Sequence, residues 1–303
     1  MTDVVLIAPA NATITYQSLA SRYSAVEPPT WALILAESCR KAGFEPQILD
    51  CLAENLSDKA AIDRIRNSKP RLICFVVYGQ NVNAGTTNMS GAVRLAEAMK
   101  ADGIDTPIGF IGSHVQALPR ETLETEKAID VAFLNEGVYA LQSVLSADEL
   151  TMTHLKTVPG LAVRFCDEIV FTGPPAVVPQ DRMDIDMPGY AWDLLPYNEK
   201  SLDLYRAPYW HAEYQDEFRS PYAAIQTSIG CRFKCSFCMI NLINKNDDRQ
   251  ESIASDYNGM RHWSPEFVET ELAKLVAMGV KTIRITDEMF LLNKKYYRPI
   301  IES

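Results

Sequence analysis

The chain has 303 residues, of which 47% are hydrophobic and 22% charged, with a formal net charge of -10. This is the composition of a folded globular protein with little room for extended disorder, and the length predicts two units, or one unit plus a large fragment. The acidic balance opposes non-specific attraction to nucleic-acid phosphates or anionic membranes, which needs clustered Lys and Arg. Residues 1–10 run straight into an apolar stretch and lack the basic start and long apolar run of a signal peptide. The longest apolar runs, such as residues 72–78, fall far short of the ~20 residues that cross a bilayer. A cytoplasmic location, with no nucleic acid and no membrane as partners, is therefore expected. Seven cysteines, three of them within eight residues, suit a metal site in a reducing compartment better than a disulfide framework.

Residues 1–150 repeat one rhythm of short apolar run, turn and amphipathic helix. Strands are predicted over residues 3–8, 46–49, 72–78, 108–111 and 131–134, and helices over 30–42, 58–67, 89–101 and 137–146. Five strands alternating with helices predict an α/β domain, a doubly wound, Rossmann-like parallel sheet that binds ligands beyond the carboxyl ends of its strands. Residues 151–220 differ in texture. Pro159, Pro174, Pro175, Pro179, Pro188, Pro196 and Pro208 exclude long helices, so this segment reads as a connector with a small β-hairpin over 161–165 and 168–172. Its aromatic residues Tyr190, Trp192, Tyr197, Tyr205, Tyr209, Trp210 and Tyr214 are expected to pack between domains. From residue 221 the rhythm resumes: a strand over 222–228, a cysteine loop, a helix over 265–278 and a strand over 282–286. Ser264 followed by Pro265 is an N-cap with proline at the first helical position.

The cysteine loop carries the sharpest chemistry. Cys231, Cys235 and Cys238 form C-x3-C-x2-C, a spacing that lets three thiolates converge on one face of a cubane. A fourth nearby cysteine would close an electron-transfer cluster, whereas three leave one iron open to a further ligand. Arg232 and Lys234 supply positive charge that favours thiolates. The competing readings are three free cysteines, or a zinc site completed by His211 or His262. Zinc prefers paired C-x2-C or Cys/His knuckles, and only one such pair is present.

In its C-x3-C-x2-C loop after a strand, with the aromatic Phe237 before the last cysteine, the sequence resembles the radical S-adenosylmethionine superfamily. The resemblance implies that Cys231, Cys235 and Cys238 hold a 4Fe-4S cluster whose open iron chelates S-adenosylmethionine, with Phe237 near the adenine. It also implies a 5'-deoxyadenosyl radical formed on one-electron reduction, and an electron donor such as flavodoxin or ferredoxin. Asp287 and Glu288, after the second strand, stand where such proteins carry a segment that contacts the methionine ammonium; the glycines usual there are missing, and an acidic loop capping the next helix is the other reading.

The first domain alone does not choose a function. A response-regulator receiver needs an acidic cluster after the first strand, where this chain has Ala8-Pro9-Ala10, and no Gly-x-Gly-x-x-Gly dinucleotide turn is present. Ahead of the cysteine motif, however, the domain resembles the cobalamin-binding domain of cobalamin-dependent radical S-adenosylmethionine enzymes. The matching residues are Pro28-Pro29-Thr30, Lys41-Ala-Gly-Phe, Gly112-Ser113-His114 and Asn135-Glu136-Gly137, with Tyr78-Gly79-Gln80-Asn81 on the same edge of the sheet. The resemblance implies that a corrin lies flat on these loops, where Gly79, Gly112 and Gly137 permit close approach. His114 lacks an Asp two residues before it, so it is not expected to ligate cobalt.

Together these resemblances imply a cobalamin-dependent radical methyltransferase that uses a 4Fe-4S cluster, S-adenosylmethionine and cobalamin on a small-molecule substrate. The alternatives are an oxidative cyclase of the same architecture and a non-catalytic cobalamin or iron–sulfur protein. Residues 221–303 hold only the first units of a (β/α) barrel, whose remaining units of ~30 residues or more each would come from a longer protein or another chain.

Overall fold

In the computed structural model, residues 2–10, 17–19, 25–78, 84–166, 168–196, 204–205 and 222–303 are described. Seven strands, β1 (Val4–Ala8), β2 (Pro46–Asp50), β3 (Leu72–Val76), β4 (Ile108–Ile111), β5 (Val131–Phe133), β6 (Leu161–Phe165) and β7 (Glu168–Phe171), form one sheet in the order β2-β1-β3-β4-β5-β6-β7. The first five are parallel, as the sequence predicts. Alternate side chains serve opposite faces. Val4, Leu6, Cys74 and Val76 join the core under helices Thr30–Lys41 and Val138–Leu145, while Val5, Ile7, Ile73 and Phe75 join the core under Asp58–Ser68 and Ala84–Ala101.

The hairpin expected in the connector instead extends this sheet. β6 pairs antiparallel with β5, and β7 with β6. The physical reason is the open edge of β5: Leu161, Ala162 and Val163 are fully buried there and cover what would be unpaired backbone. Helix Ala84–Ala101 also begins earlier than predicted, because Gly85, Thr86, Thr87 and Asn88 are weak helix formers that hide its first turns.

The second part contains β8 (Tyr222–Ile225), β9 (Ser228–Cys231), β10 (Gly259–His262), helix Pro265–Ala277 and β11 (Thr282–Ile285). β8 and β11 pair in parallel around that helix, one βαβ unit. Its N-cap is the expected one, with Ser264 Oγ accepting from the Phe267 amide at 3.1 Å. The strand predicted over 222–228 is two strands. The chain leaves the β8/β11 pair at Thr227, whose amide and hydroxyl donate to Asp287, and then pairs antiparallel with β10, which lacks apolar alternation and was not predicted.

Both parts share one continuous core. Met183, Met187, Tyr190 and Trp192 of the connector are buried between them, Tyr190 stacks on Trp192 at 5.0 Å, and the Trp263 indole donates to the Met187 carbonyl at 2.8 Å. Tyr205 is buried too, whereas Tyr197, Pro208, Tyr209, Trp210, His211 and Tyr214 lie outside the described residues. Among the described residues no helix is long and apolar enough to cross a membrane.

A buried ion pair fixes the joint. Glu136, fully buried after β5, accepts from Arg261 of β10 at 2.7 Å and from the Val178 amide at 2.5 Å. Removing one member leaves the other charge unpaired in the interior, at a cost of about 3–5 kcal/mol. Arg261→Met is therefore expected to lose about that much in urea unfolding, and Glu136→Gln with Arg261→Met to regain more than half of it. Equal losses in both variants would show that the pair does not set the joint.

Candidate functional site

The sheet order reverses between β1 and β3, each running parallel to the other but leading its following helix to opposite faces, and such a switch point opens a crevice at the carboxyl ends of the strands. A cleft lies there, lined by Ala8 and Pro9 at the end of β1, Asp50 and Leu52 at the end of β2, and Val76 and Tyr78 at the end of β3. The second part supplies the facing wall through Ala224, Gln226, Ser228, Thr286, Asp287 and Glu288, with Met239, Ile240 and Ile243 from the segment after the cysteines. Two parallel sheets thus present their carboxyl edges to one space.

On the first-domain wall, Trp31 sits in the first turn of helix Thr30–Lys41, with its indole N–H donating to the Glu136 carbonyl at 3.1 Å. Its ring packs against Tyr78, with centroids 5.6 Å apart, and Asn88 donates to the Tyr78 carbonyl at 3.0 Å. Gln116 donates through Nε2 to the Tyr78 hydroxyl and the Asn135 carbonyl, both at 2.6 Å. The Oε1 atoms of Gln116 and, on the opposite wall, of Gln226 are buried with no partner among the described residues. Unpaired buried acceptors on a cleft mark places where a ligand or ordered water is needed.

The charge of the cleft is one-sided. Glu27, Asp50, Asp287 and Glu288 line it, and no Lys, Arg or His does so among the described residues. Glu27 is paired, accepting from Tyr222 Oη at 2.9 Å and Arg284 at 2.5 Å. Asp50 accepts from Tyr205 Oη at 2.9 Å and from the amides of Leu52 and Ala53, yet burial pushes its pKa up to about 6. Asp287 takes three donors, the Thr227 amide and hydroxyl at 2.6 Å and the Ser228 hydroxyl at 2.5 Å. Glu288 has no hydrogen bond or ion pair among the described residues, and burial followed by repulsion from Asp287 raises its pKa.

Of the positions expected from the sequence, Thr30, Tyr78, Asp287 and Glu288 line the cleft. Gly79, Gln80 and Asn81 lie outside the described residues. The remaining residues after β4 and β5 do not line it and have protein partners. A Cβ at Gly112 would collide with the Val77 carbonyl, and one at Gly137, where φ is +82°, would meet Ile111 at 2.7 Å. These glycines serve the approach of neighbouring strands. Ser113 packs against Gly85, and half-buried His114 lies 3.3 Å from Thr86 Oγ1, its pKa lowered by burial. Asn135 donates to the carbonyls of Ala176 and Lys245, and Glu136 forms the ion pair of the joint.

The cysteine motif is only half enclosed. Cys231 is buried at the end of β9, Cys238 is half-buried, and Cys235 and Phe237 are exposed, Phe237 away from the cleft lining. No three His, Cys, Asp or Glu side chains lie close enough to hold a metal ion among the described residues, so the three thiols are not gathered here. Asn241 brackets the loop, accepting from the Cys231 amide at 2.8 Å and donating to the Phe233 carbonyl at 3.2 Å. Trp31, Gln116, Gln226, Glu27 and Asp50 were not singled out from the sequence. Gln116, two positions past His114, was within reach, since the Gly112-Ser113-His114 turn was already placed at the carboxyl edge.

Residues 17–145 match the family of the B12 binding domain. Residues 17–145 are thus similar to a B12-binding domain. Over 272 residues the chain is 26% identical to an uncharacterised methyltransferase of Pyrococcus horikoshii, PH0819, covering 88% of this chain and 50% of that one. The fold is that of the radical S-adenosylmethionine methyltransferase TsrM from Kitasatospora setae, with a TM-score of 0.63 at 17% identity over 100% of this chain and 50% of that one. It is equally that of the cobalamin-dependent S-adenosylmethionine radical enzyme OxsB, with a TM-score of 0.66 at 15% identity over 99% of this chain and 37% of that one. The chain spans about half the length of the curated relative it matches. The resemblance read from the sequence therefore holds for the fold and for the B12-binding domain.

Asp50 makes this wall of the first domain sensitive to pH. Its folded pKa of about 6 lies above that of an unfolded aspartate, so the folded state holds the extra proton and stability falls as pH rises from about 4 to 6. Asp50→Asn is expected to flatten that fall, worth about 1–3 kcal/mol, when thermal unfolding is followed from pH 4 to 7. Parallel curves for both proteins would contradict it.

Proposed function

We propose that this chain serves a cobalamin-dependent radical S-adenosylmethionine methyltransferase reaction on a small molecule. The observation that carries the reading is the cleft at the switch point of a B12-binding domain, faced by the βα unit that bears the cysteine motif. The lining suits cobalamin: it has aromatic rings in Trp31 and Tyr78 for a flat macrocycle, and unpaired amide oxygens at Gln116 and Gln226.

Its other lining suits a cation. Four carboxylates with no basic side chain among the described lining residues favour a sulfonium nucleotide that also carries an ammonium. Asp287 is occupied in tying Thr227 and Ser228, so Glu288 is the carboxylate left to take that ammonium. Cys231, Cys235 and Cys238 are the residues that would hold the 4Fe-4S cluster, three soft thiolate donors of the type such clusters use. Support there lies in the donor set, while the exposed loop 232–237 has to close over the metal. When bound, cobalamin supplies methyl transfer at cobalt and the cluster supplies one-electron reduction. Exposed Arg232 and Lys234 beside the motif suit an acidic electron donor such as flavodoxin or ferredoxin.

The test is anaerobic reconstitution with iron, sulfide and hydroxocobalamin, followed by reduction in the presence of S-adenosylmethionine. About four irons and one cobalt per chain are expected, together with 5'-deoxyadenosine or S-adenosylhomocysteine, and serine at any of Cys231, Cys235 or Cys238 should abolish the iron while leaving cobalt bound. Zinc in place of iron, or unchanged nucleotide cleavage in the serine variants, would overturn the reading. Labelled methyl groups that never reach a product while cleavage continues would favour the oxidative cyclase.

A further inference from the structure

Two hydrogen-bonding groups on the B12-binding domain's side of the cleft are left incomplete by the protein. Gln116 is fully buried, and the orientation of its amide is dictated by its neighbours: the Asn135 carbonyl can only accept, so Nε2 must face it. The second N–H of Nε2 meets the Tyr78 oxygen at 2.6 Å. Both donors of Gln116 are thereby used, and its Oε1 is left without a donor among the described residues. Tyr78 is in the complementary state. Its oxygen accepts from Gln116, and no bond donated by its own proton exists among the described residues.

The wall therefore presents one donor and one acceptor side by side. Amide bond lengths set Oε1 about 2.2 Å from Nε2, so the phenol proton and the Gln116 lone pairs lie within the span of one small polar group. Chemistry narrows that group. A carboxylate would set its own oxygen against Oε1, near Asp50 and Glu27, and an ammonium would leave the phenol proton unmet. A primary carboxamide offers an acceptor and a donor at the matching separation and satisfies both.

We propose that Tyr78 and Gln116 form a receptor for a primary carboxamide and, resting on the cobalamin reading, that its occupant is one carboxamide arm on the corrin rim. The pair then selects the fully amidated corrin against a corrin whose corresponding arm is a free acid. Trp31, held against Tyr78 and bonded to the Glu136 carbonyl, keeps the phenol in place for this role.

Dissociation constants from visible-absorption titration test the proposal, using hydroxocobalamin and the set of cobalamin monocarboxylic acids, each with a single amide hydrolysed. Wild-type protein is expected to bind cobalamin and to discriminate against one isomer of the set by tenfold or more. Tyr78→Phe, checked for native circular dichroism, should bind cobalamin about 3–10-fold more weakly and lose most of that discrimination. Because the isomers change the ligand and leave the protein untouched, the result stands even where Gln116→Met fails to fold. If wild-type protein takes up no corrin, the cobalamin reading itself falls and the occupant with it. If cobalamin binds but all isomers bind alike, or Tyr78→Phe keeps wild-type affinity and discrimination, the receptor is refuted and the cobalamin reading remains.

Discussion

A carboxylate with no access to water needs a partner, and in this fold Glu136 finds it in the other half of the molecule. Arg261 from β10 and the Val178 amide neutralise and hydrogen-bond it, while its own carbonyl takes the Trp31 indole. Arg261 also donates to the Val178 carbonyl and to Asn244, and Asn244 in turn holds the carbonyls of Tyr257 and Gly259. Moving the second part relative to the first domain would uncover this charge, which the interior tolerates poorly. The Glu136–Arg261 pair and the shared core together hold the two carboxyl edges on either side of the cleft.

The same economy of partners shapes the electrostatics of the cleft. Arg284 reaches a carboxylate of the lining, but only to pair with Glu27. Asp287 is consumed by the turn that separates β8 from β9, and Asp50 by Tyr205 and two backbone amides. Burial raises the pKa of Asp50, Asp287 and Glu288, so the lining holds carboxyl groups that a cation would stabilise in their charged form. Ligand charge and the ionisation of the wall are therefore linked.

Much of this architecture was legible in the residues, because period-two and period-3.6 patterns report directly on burial. The five parallel strands and the Ser264–Pro265 helix start follow from patterns confined to a few neighbouring residues. The hairpin β6–β7 was visible as a hairpin, but its place in the sheet depends on the open edge of β5, which no local pattern encodes. The loops after β4 and β5 were correctly put at the carboxyl edge. That Asn135 and Glu136 turn inward to Lys245 and Arg261, more than a hundred residues away, is a long-range fact. Trp31 and Gln116 were hidden for the converse reason: an apolar ring in a helix and a glutamine in a short turn look ordinary until the third dimension sets them against Tyr78.

The cysteine loop shows how the proposed chemistry would use what the fold leaves unfinished. Its ends are fixed, Cys231 by β9 and Asn241, and the segment after Cys238 by the short 3-10 helix Ile240–Asn244, where Leu242 is buried with Ala254 and Tyr257. Its middle, residues 232–237, stands exposed. Gathering three thiolates around a metal is favourable enough to order a short segment whose ends are already held, since the loop entropy still to be lost is small. Under the proposed function, metal binding would then bring Cys235 and Cys238 toward Cys231, whose chain neighbour Gly230 lines the cleft.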